Sequence, residues 1–479
     1  MGNAARLALG VFAVRRQRGR LDVGRCRAQG YSVSFPPLTM SSPFSALARE
    51  STVGQPGFNR WLVPPAAIAV HMCIGQVYGF SVFNKPLTLA LGTDITKVQF
   101  AYQIALMMLG LSAAVFGKWV ERSGPRKTML ASLFLFCGGL VLSSLAVRIQ
   151  SLPLLLFGYG IVGGIGLGLG YISPVSTLVK WFPDRPGMAT GMAIMGFGGG
   201  ALIGSPLAQE LMKHFAGEGT TGAGEALLVM AGSYSVFMLF GAFLVRVPAE
   251  GWRPEGWVPK AATQAITGAS VAVDTAWKTP QFWLLWVVLC MNVSAGIGVL
   301  GRAADMCQDM FGVSAAIGAG FTGLLSIFNM GGRFAWSSVS DLTGRKAVYS
   351  IYFILGAALY AVLPYAQQTQ NKTLFVACTA LIISMYGGGF ATIPAYLRDL
   401  FGSYQVGAIH GRLITAWSVA AVIGPGLINS LFTSRVAGGI PKAEAYNGTF
   451  YLMCALLGVG LVSNLLVRPV SERHHLKQP

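Results

Sequence analysis

Apolar runs of about 20 residues, the length needed to cross a hydrocarbon core of about 30 Å, recur along the chain. They lie near 61–84, 98–120, 128–148, 153–179, 188–212 and 227–245. A second set follows near 281–301, 314–337, 347–366, 374–393, 407–434 and 448–467. The polar intervals between them are short, apart from the stretch 246–280. This pattern predicts an all-α membrane protein with twelve transmembrane helices.

Composition narrows the class further. Hydrophobic residues make up 53% of the 479, charged residues only 11%, and the mean hydropathy is +0.58. A soluble chain averages about 25% charged residues, so too little polar surface exists to cover a globule of this size. A soluble enzyme, a disordered chain and a nucleic-acid-binding domain are excluded.

The two sets of spans also repeat one another. Glu121 and Asp341 stand 220 residues apart, as do Gly124 and Gly344, Gly187 and Gly407, Gly191 and Gly411, and Gly204 and Gly424. Parallel six-span repeats resemble the major facilitator architecture, in which a substrate site lies near the midplane between the halves. The expected organisation is a basic cytoplasmic segment 1–60, a six-helix half 61–245, a cytoplasmic linker 246–280, a second half 281–467 and a tail 468–479. The linker, with Pro248, Trp252, Pro254, Trp257 and Pro259, reads as a semi-structured tether.

The net charge of +18 reports topology. With both termini cytoplasmic, cytoplasmic segments hold 25 Lys/Arg and exterior loops 8, with Arg333 and Arg412 inside spans. The positive-inside rule fixes that orientation, and the partner implied is a lipid bilayer, not nucleic acid. Residues 1–39 hold seven Arg and one acid, Asp22. They read as a disordered tail, as an unused upstream start before Met40, or as a mitochondrial presequence. The expected location is the cell membrane, or the mitochondrial inner membrane if 1–39 is a presequence. Seven scattered cysteines without a C-x-x-C pair imply neither disulfide framework nor zinc site, and no cofactor or metal is expected.

The loops after spans 2 and 8 share an acidic-Gly-basic signature: Glu121, Arg122, Gly124 and Arg126 in the first, Asp341, Gly344 and Arg345 in the second. A carboxylate at a helix end can accept from backbone amides of a neighbouring helix N-terminus and from the arginine, clasping one end of the bundle. A single copy fits a solvated loop equally well; two matched copies favour the clasp.

From about Arg60 to Leu465 the chain resembles the oxalate/formate antiporter family of the major facilitator superfamily, which is related to monocarboxylate transporters. The residues that carry the likeness include Gly75, Gln76, Tyr78 and Phe83 in span 1, and Trp181, Asp184, Arg185, Gly187 and Gly191 entering span 5. Asn292, Gly296 and Gly298 in span 7, Asn329 and Arg333 in span 8, Tyr386, Phe390 and Pro394 in span 10, and His410 to Trp417 in span 11 extend it. The resemblance implies a secondary carrier of small organic anions, such as formate, oxalate, lactate or pyruvate, working by alternating access with the monomer as transport unit. Ser337 departs from the family pattern, where glycine is usual, and is expected to loosen helix packing.

Arg333 is the informative charge. It falls about one turn before the polar end of span 8 at Ser337 and Ser338, with no carboxylate deep in any span. An arginine at membrane depth costs about 2.5–3.5 kcal/mol on insertion scales. Either it snorkels to the surface, or it holds a bound anion through its planar fork. The resemblance implies the second, because Arg333 matches the family's substrate-binding arginine. The family's second buried cation, a lysine on span 11, is matched here by Trp417, which favours a monocarboxylate over oxalate. Arg412 is read as a possible second charge or as an end anchor. Gln76, Tyr78, Tyr171, Tyr386 and Phe390 are the candidate chamber walls, against the simpler reading of each as packing.

An empty carrier must close around an unpaired cation, whereas a loaded one closes around a neutral pair, which favours exchange. Two alternatives stand beside antiport: proton-coupled symport, with His71 as the one histidine well inside a span, and a transport-inactive sensor on the carrier fold. A His71 satisfied by a backbone carbonyl is favoured over a relay. No G-x-x-x-x-G-K-[ST] loop for a nucleotide-driven pump and no catalytic cluster occur in the sequence.

Overall fold

The computed structural model describes residues 46–257 and 270–476. The three readings of residues 1–39, Cys26 and the centre of the linker therefore concern segments outside the described residues. Among the described residues the structure is helical apart from two isolated bridges. The long helices are α1 (Arg60–Leu91), α2 (Ile95–Ser123), α3 (Pro125–Arg148), α4 (Leu152–Trp181), α5 (Pro186–Phe215) and α6 (Ala223–Leu244). After the linker come α7 (Pro280–Phe311), α8 (Ala315–Thr343), α9 (Arg345–Gln368), α10 (Lys372–Phe401), α11 (Val406–Ala437) and α12 (Lys442–Leu466).

The shortest, α6, has 22 residues, or about 33 Å at 1.5 Å per residue. Eleven helices are both long and apolar enough to cross a membrane, and α8 is 29 residues long. Large apolar side chains such as Val115, Phe134, Val236 and Phe237 are exposed, which suits a hydrocarbon solvent and not water. This is a multi-pass membrane protein.

Local chemistry sets the helix ends. Gly124 and Gly344 adopt φ values of 81° and 91°, a region that favours glycine. Each allows α2 or α8 to stop and α3 or α9 to start within one residue, which explains the glycine in both signature loops. Thr279 and Ser314 cap α7 and α8 through hydrogen bonds from the amides of Phe282 and Ile317. Three helices are irregular. α1 tightens into a 3₁₀ stretch at Gln76–Phe83, α4 widens into a π stretch at Leu156–Gly163, and α11 breaks at Ile414 between Leu413 and Thr415.

The linker is pinned at both described ends. Val247 pairs with Thr52 and Gly54 through 2.8 Å backbone bonds, and the Trp181 indole donates to the Arg246 carbonyl at 2.7 Å. At the far end, Val271 donates to the Phe401 carbonyl at 2.9 Å and Leu476 to the Ser270 carbonyl at 2.8 Å. A short helix, Val273–Ala276, then leads into α7. Helices from the two sides of the linker meet mainly along α5–α8 and α2–α11.

Candidate functional site

Both interfaces carry a carboxylate at the same end of the bundle. Asp341, in the last turn of α8, accepts from the backbone amides of Gly187 and Met188 at the start of α5, at 2.9 and 2.8 Å. Arg345 donates to it at 2.5 Å and to Asp399 at 3.1 Å. On the other interface Glu121, near the end of α2, accepts from the Gly407 amide at 3.1 Å at the start of α11. The remaining partners of Glu121 are Ser176 at 2.7 Å and Lys180 at 2.5 Å. Both carboxylates thus sit where the positive ends of helix dipoles favour an anion.

The arginine part of the first motif is corrected by this geometry. Arg126 donates to the carbonyls of Ala242 and Ala46 and lies over Phe243. Arg122 makes no ion pair among the described residues. Lys180, on α4, takes the role expected of them because its amine reaches back to Glu121 from the adjacent helix.

Arg333 lies deeper than its sequence position suggests. α8 runs ten residues past it to Thr343, about 15 Å along the axis, so Ser337 and Ser338 do not mark the membrane edge. Its side chain is 0% exposed, which removes the snorkelling alternative. Nε donates to Asn329 Oδ1 at 3.0 Å, and Nη1 lies 3.5 Å from the Ile194 carbonyl. Nη2 has no hydrogen-bond acceptor, and no carboxylate pairs with the group among the described residues. Gly198 makes room for it: a Cβ there would stand 3.0 Å from Nε.

Aromatic rings surround the guanidinium. Its Cζ is 5.3 Å from the Phe390 ring centroid and 5.8 Å from that of Phe197, within cation–π range. Phe390 packs on Trp417 at 4.7 Å and on Tyr386 at 5.3 Å. Phe197 is met edge-on by Tyr78, Tyr171 and Trp417 at 5.2, 5.4 and 5.6 Å. The Tyr78 and Tyr386 hydroxyls meet across the two sides at 3.4 Å. Tyr78, Tyr171, Tyr386, Phe390, Trp417 and Arg333 therefore pack into one buried cluster, the place of the candidate chamber.

Two candidates do not join them. Gln76 lies on the α5–α6 side of α1, where Gly204 and the Tyr234 hydroxyl face it. Arg412 is drawn to the clasped end, where Nη2 holds Asp274 at 2.8 Å, Nη1 holds the Val273 carbonyl at 2.9 Å and Trp277 stacks beneath. The break at Ile414 separates it from Trp417, and its contacts are those of an end anchor. Lys118 also binds Asp274, and the bonds from Lys118 and then Arg412 hold that carboxyl below the usual aspartate range.

Ser337 does not loosen the packing. It is buried against Gly187 and Gly191 of α5, where added Cβ atoms would come within 2.2 Å of its carbonyl oxygen and 2.1 Å of its hydroxyl. Its Oγ returns to the Arg333 carbonyl at 2.5 Å. His71 has its ring nitrogens 3.1 and 3.2 Å from the carbonyls of Ala67 and Tyr171. It is not alone: His410 is also buried, with its ring 5.9 Å from Tyr171. Sequence reading missed His410, which lies close to the polar start of α11. It also missed Phe197, although one large side chain in a run of glycines was a usable signal.

The comparisons with known proteins agree with this arrangement. The Major Facilitator Superfamily model matches residues 66–425 and 331–479. The uncharacterized MFS-type transporter YhjX of Escherichia coli K12 is 26% identical over 366 residues, covering 76% of this chain and 86% of the relative. The oxalate:formate antiporter of Oxalobacter formigenes is 26% identical over 380 residues, covering 78% and 86%. Among solved structures, the E. coli fucose:proton symporter FucP superposes with a TM-score of 0.62 at 15% identity, covering 86% of this chain and 100% of that one. With the twelve-helix bundle and the matched ends of α2 and α8, these findings place the chain in its family: it belongs to the Major Facilitator Superfamily of membrane transporters, and it is not an enzyme.

Proposed function

We propose that the protein carries small organic anions with a single carboxylate across the membrane by alternating access, exchanging one anion for another. The observation that carries this reading is the fully buried Arg333, which among the described residues has one nitrogen unpartnered and no acid beside it. A bound carboxylate completes its fork through two charge-assisted hydrogen bonds. The resemblance to an oxalate:formate antiporter supports an anionic cargo. Trp417, beside Arg333's aromatic neighbours and with no second cation packed there among the described residues, supports a monoanion over a dianion.

Coupling follows from charge. The loaded chamber is neutral, whereas the empty one encloses a bare cation, whose desolvation is costly. Return of the empty carrier is then the slow step, and exchange outruns net flux. In this reading the clasped end faces the cytoplasm, supported by the 25 to 8 distribution of Lys/Arg. Glu121 and Asp341 hold that end shut while the chamber serves the opposite side, and the membrane is the cell membrane.

The test is uptake of labelled formate, oxalate, lactate and pyruvate by purified protein in liposomes, preloaded with the same acid or empty. Uptake of at least one monocarboxylate, faster in preloaded vesicles, is expected. Equal rates in preloaded and empty vesicles would exclude exchange, and no uptake of any acid would exclude the cargo.

A further inference from the structure

A cavity of about 370 Å³ lies away from Arg333, at the end of the bundle opposite Glu121 and Asp341. It is enclosed by the last turns of α7, the first three turns of α8 and the start of α10. Phe375 lines it together with Phe311 and Phe321, whose rings stand 5.1 and 5.8 Å from its own. The wall reaches Leu324, about 14 Å along the axis of α8 from Ala315. Its flank is open: Ile317 is 57% exposed, and a Cβ added at Gly320 would meet nothing within 4 Å.

The chemistry of the wall limits what can fill this space. The volume equals the liquid share of about twelve waters. Yet among the described residues only two polar side chains line it, the Lys372 ammonium and the Cys307 thiol. Water there would lack partners, so the cavity suits an apolar guest. The charge sits at the lip. Lys372 is the first residue of α10, is exposed, and makes no ion pair among the described residues. It also lies within electrostatic reach of Cys307. An apolar slot with one cation at its mouth complements an anion that carries a hydrocarbon chain.

We propose that this cavity binds an anionic phospholipid, with one acyl chain between α7, α8 and α10 and the phosphate paired with the Lys372 ammonium. The flank at Ile317 and Gly320 opens it to the bilayer, where phospholipid is the surrounding solvent. A chain entering from the bilayer leaves one apolar medium for another, so it gains chiefly the contacts that the void lacks. Choice among lipids then rests on the headgroup, where a basic residue favours an anionic lipid. The site shares no residue with the cluster around Arg333, and it stands or falls apart from the cargo.

The experiment follows alkylation of Cys307 by N-ethylmaleimide, located by peptide mass mapping, in the full-length protein in maltoside micelles. Added dioleoyl phosphatidylglycerol should protect Cys307. Half-protection is expected at about one fifth of the concentration needed for dioleoyl phosphatidylcholine. In Lys372→Gln that preference should vanish, with the two lipids protecting at the same concentration. Gly320→Phe, which places a ring in the cavity, should slow alkylation without lipid and reduce any further protection by lipid. Each preference is a ratio within one preparation, so it does not depend on how much protein folded. A Cys307 that is unreactive without lipid, or not protected by phosphatidylglycerol, would overturn the site. So would equal protection by both lipids in the unaltered protein, or an unchanged preference in Lys372→Gln. Protection by oleate at a lower concentration than by phosphatidylglycerol would overturn the phospholipid and assign the cavity to a free fatty acid.

Discussion

The α2–α11 and α5–α8 interfaces follow one plan with one consequential difference. On α2 the inward positions are Ala113, Gly117 and Glu121; 220 residues later, on α8, they are Arg333, Ser337 and Asp341. Gly411 packs on the Ala113 carbonyl as Gly191 packs on that of Arg333. Each carboxylate receives the N-terminal amide of the facing helix. The repeat supplies a matched pair of helix-end carboxylates, whereas an arginine in place of a small residue in one copy supplies a buried charge. The carboxylates differ in grip: Asp341 takes two backbone amides and a buried arginine, and Glu121 takes one amide, a hydroxyl and a lysine.

The largest expected effect comes from erasing the difference. Arg333→Ala makes α8 resemble α2, and anion affinity should fall by about 2–5 kcal/mol, as for truncating one partner of a buried charge pair. That is a loss of roughly thirtyfold or more, read as the half-saturation concentration for exchange. Arg333→Lys should also impair exchange, because a point charge replaces the fork. Unimpaired exchange by Arg333→Ala would remove this residue from the mechanism.

Next are the two carboxylates themselves. Asp341→Asn should weaken the clasped end by about 1.5–3 kcal/mol, the range for hydrogen bonds to a charged group. Glu121→Gln should do less, since it gives up only one backbone amide. Distances measured by spin labels across α5–α8 and α2–α11 would show this as a larger open fraction in the first variant. Equal opening would mean that the two grips are equivalent.

A smaller change is expected at Ser337→Gly, which makes α8 match Gly117 of α2. It removes the hydrogen bond to the Arg333 carbonyl and introduces a helix-interior glycine, so thermal stability should drop by about 1 kcal/mol. A gain in stability would revive the idea that serine loosens this contact.

The smallest effect belongs to the linker, which touches both sides through Asp274. Its side chain is 58% exposed, so Asp274→Asn should shift the opening equilibrium by no more than about fivefold, and less at high salt. Because Lys118 and Arg412 lower the pKa of Asp274, its contribution is complete above the ordinary aspartate range. It is lost only as pH falls through that lowered value. The shift caused by the mutation should therefore stay constant between about pH 8 and pH 5.

Much of this architecture was legible in the chain. Hydrophobic runs report helices in a bilayer because lipid requires every backbone group to be satisfied within the segment. All twelve long helices lie where such runs predict them, with ends extended by up to ten residues, as at Phe311 in α7. The 220-residue repeat picked out the two carboxylates, since a glycine turn after a helix-end acid is a local signal. Arg333 stood out because charge inside an apolar run is rare.

Pairing was not legible. Nothing local distinguishes Arg126, which turns to nearby carbonyls, from Lys180, which reaches Glu121. Arg412 and Trp417 sit five residues apart in sequence, yet a break in α11 sends one to the linker and the other to the chamber. Gln76 and Tyr78 diverge in the same way along the 3₁₀ stretch of α1. Periodicity fixes which residues lie within a membrane helix, because burial in lipid is a property of the segment. Which face meets a ring, a carbonyl or a charge depends on helix rotation and on the facing surface, and those are set only when the bundle closes.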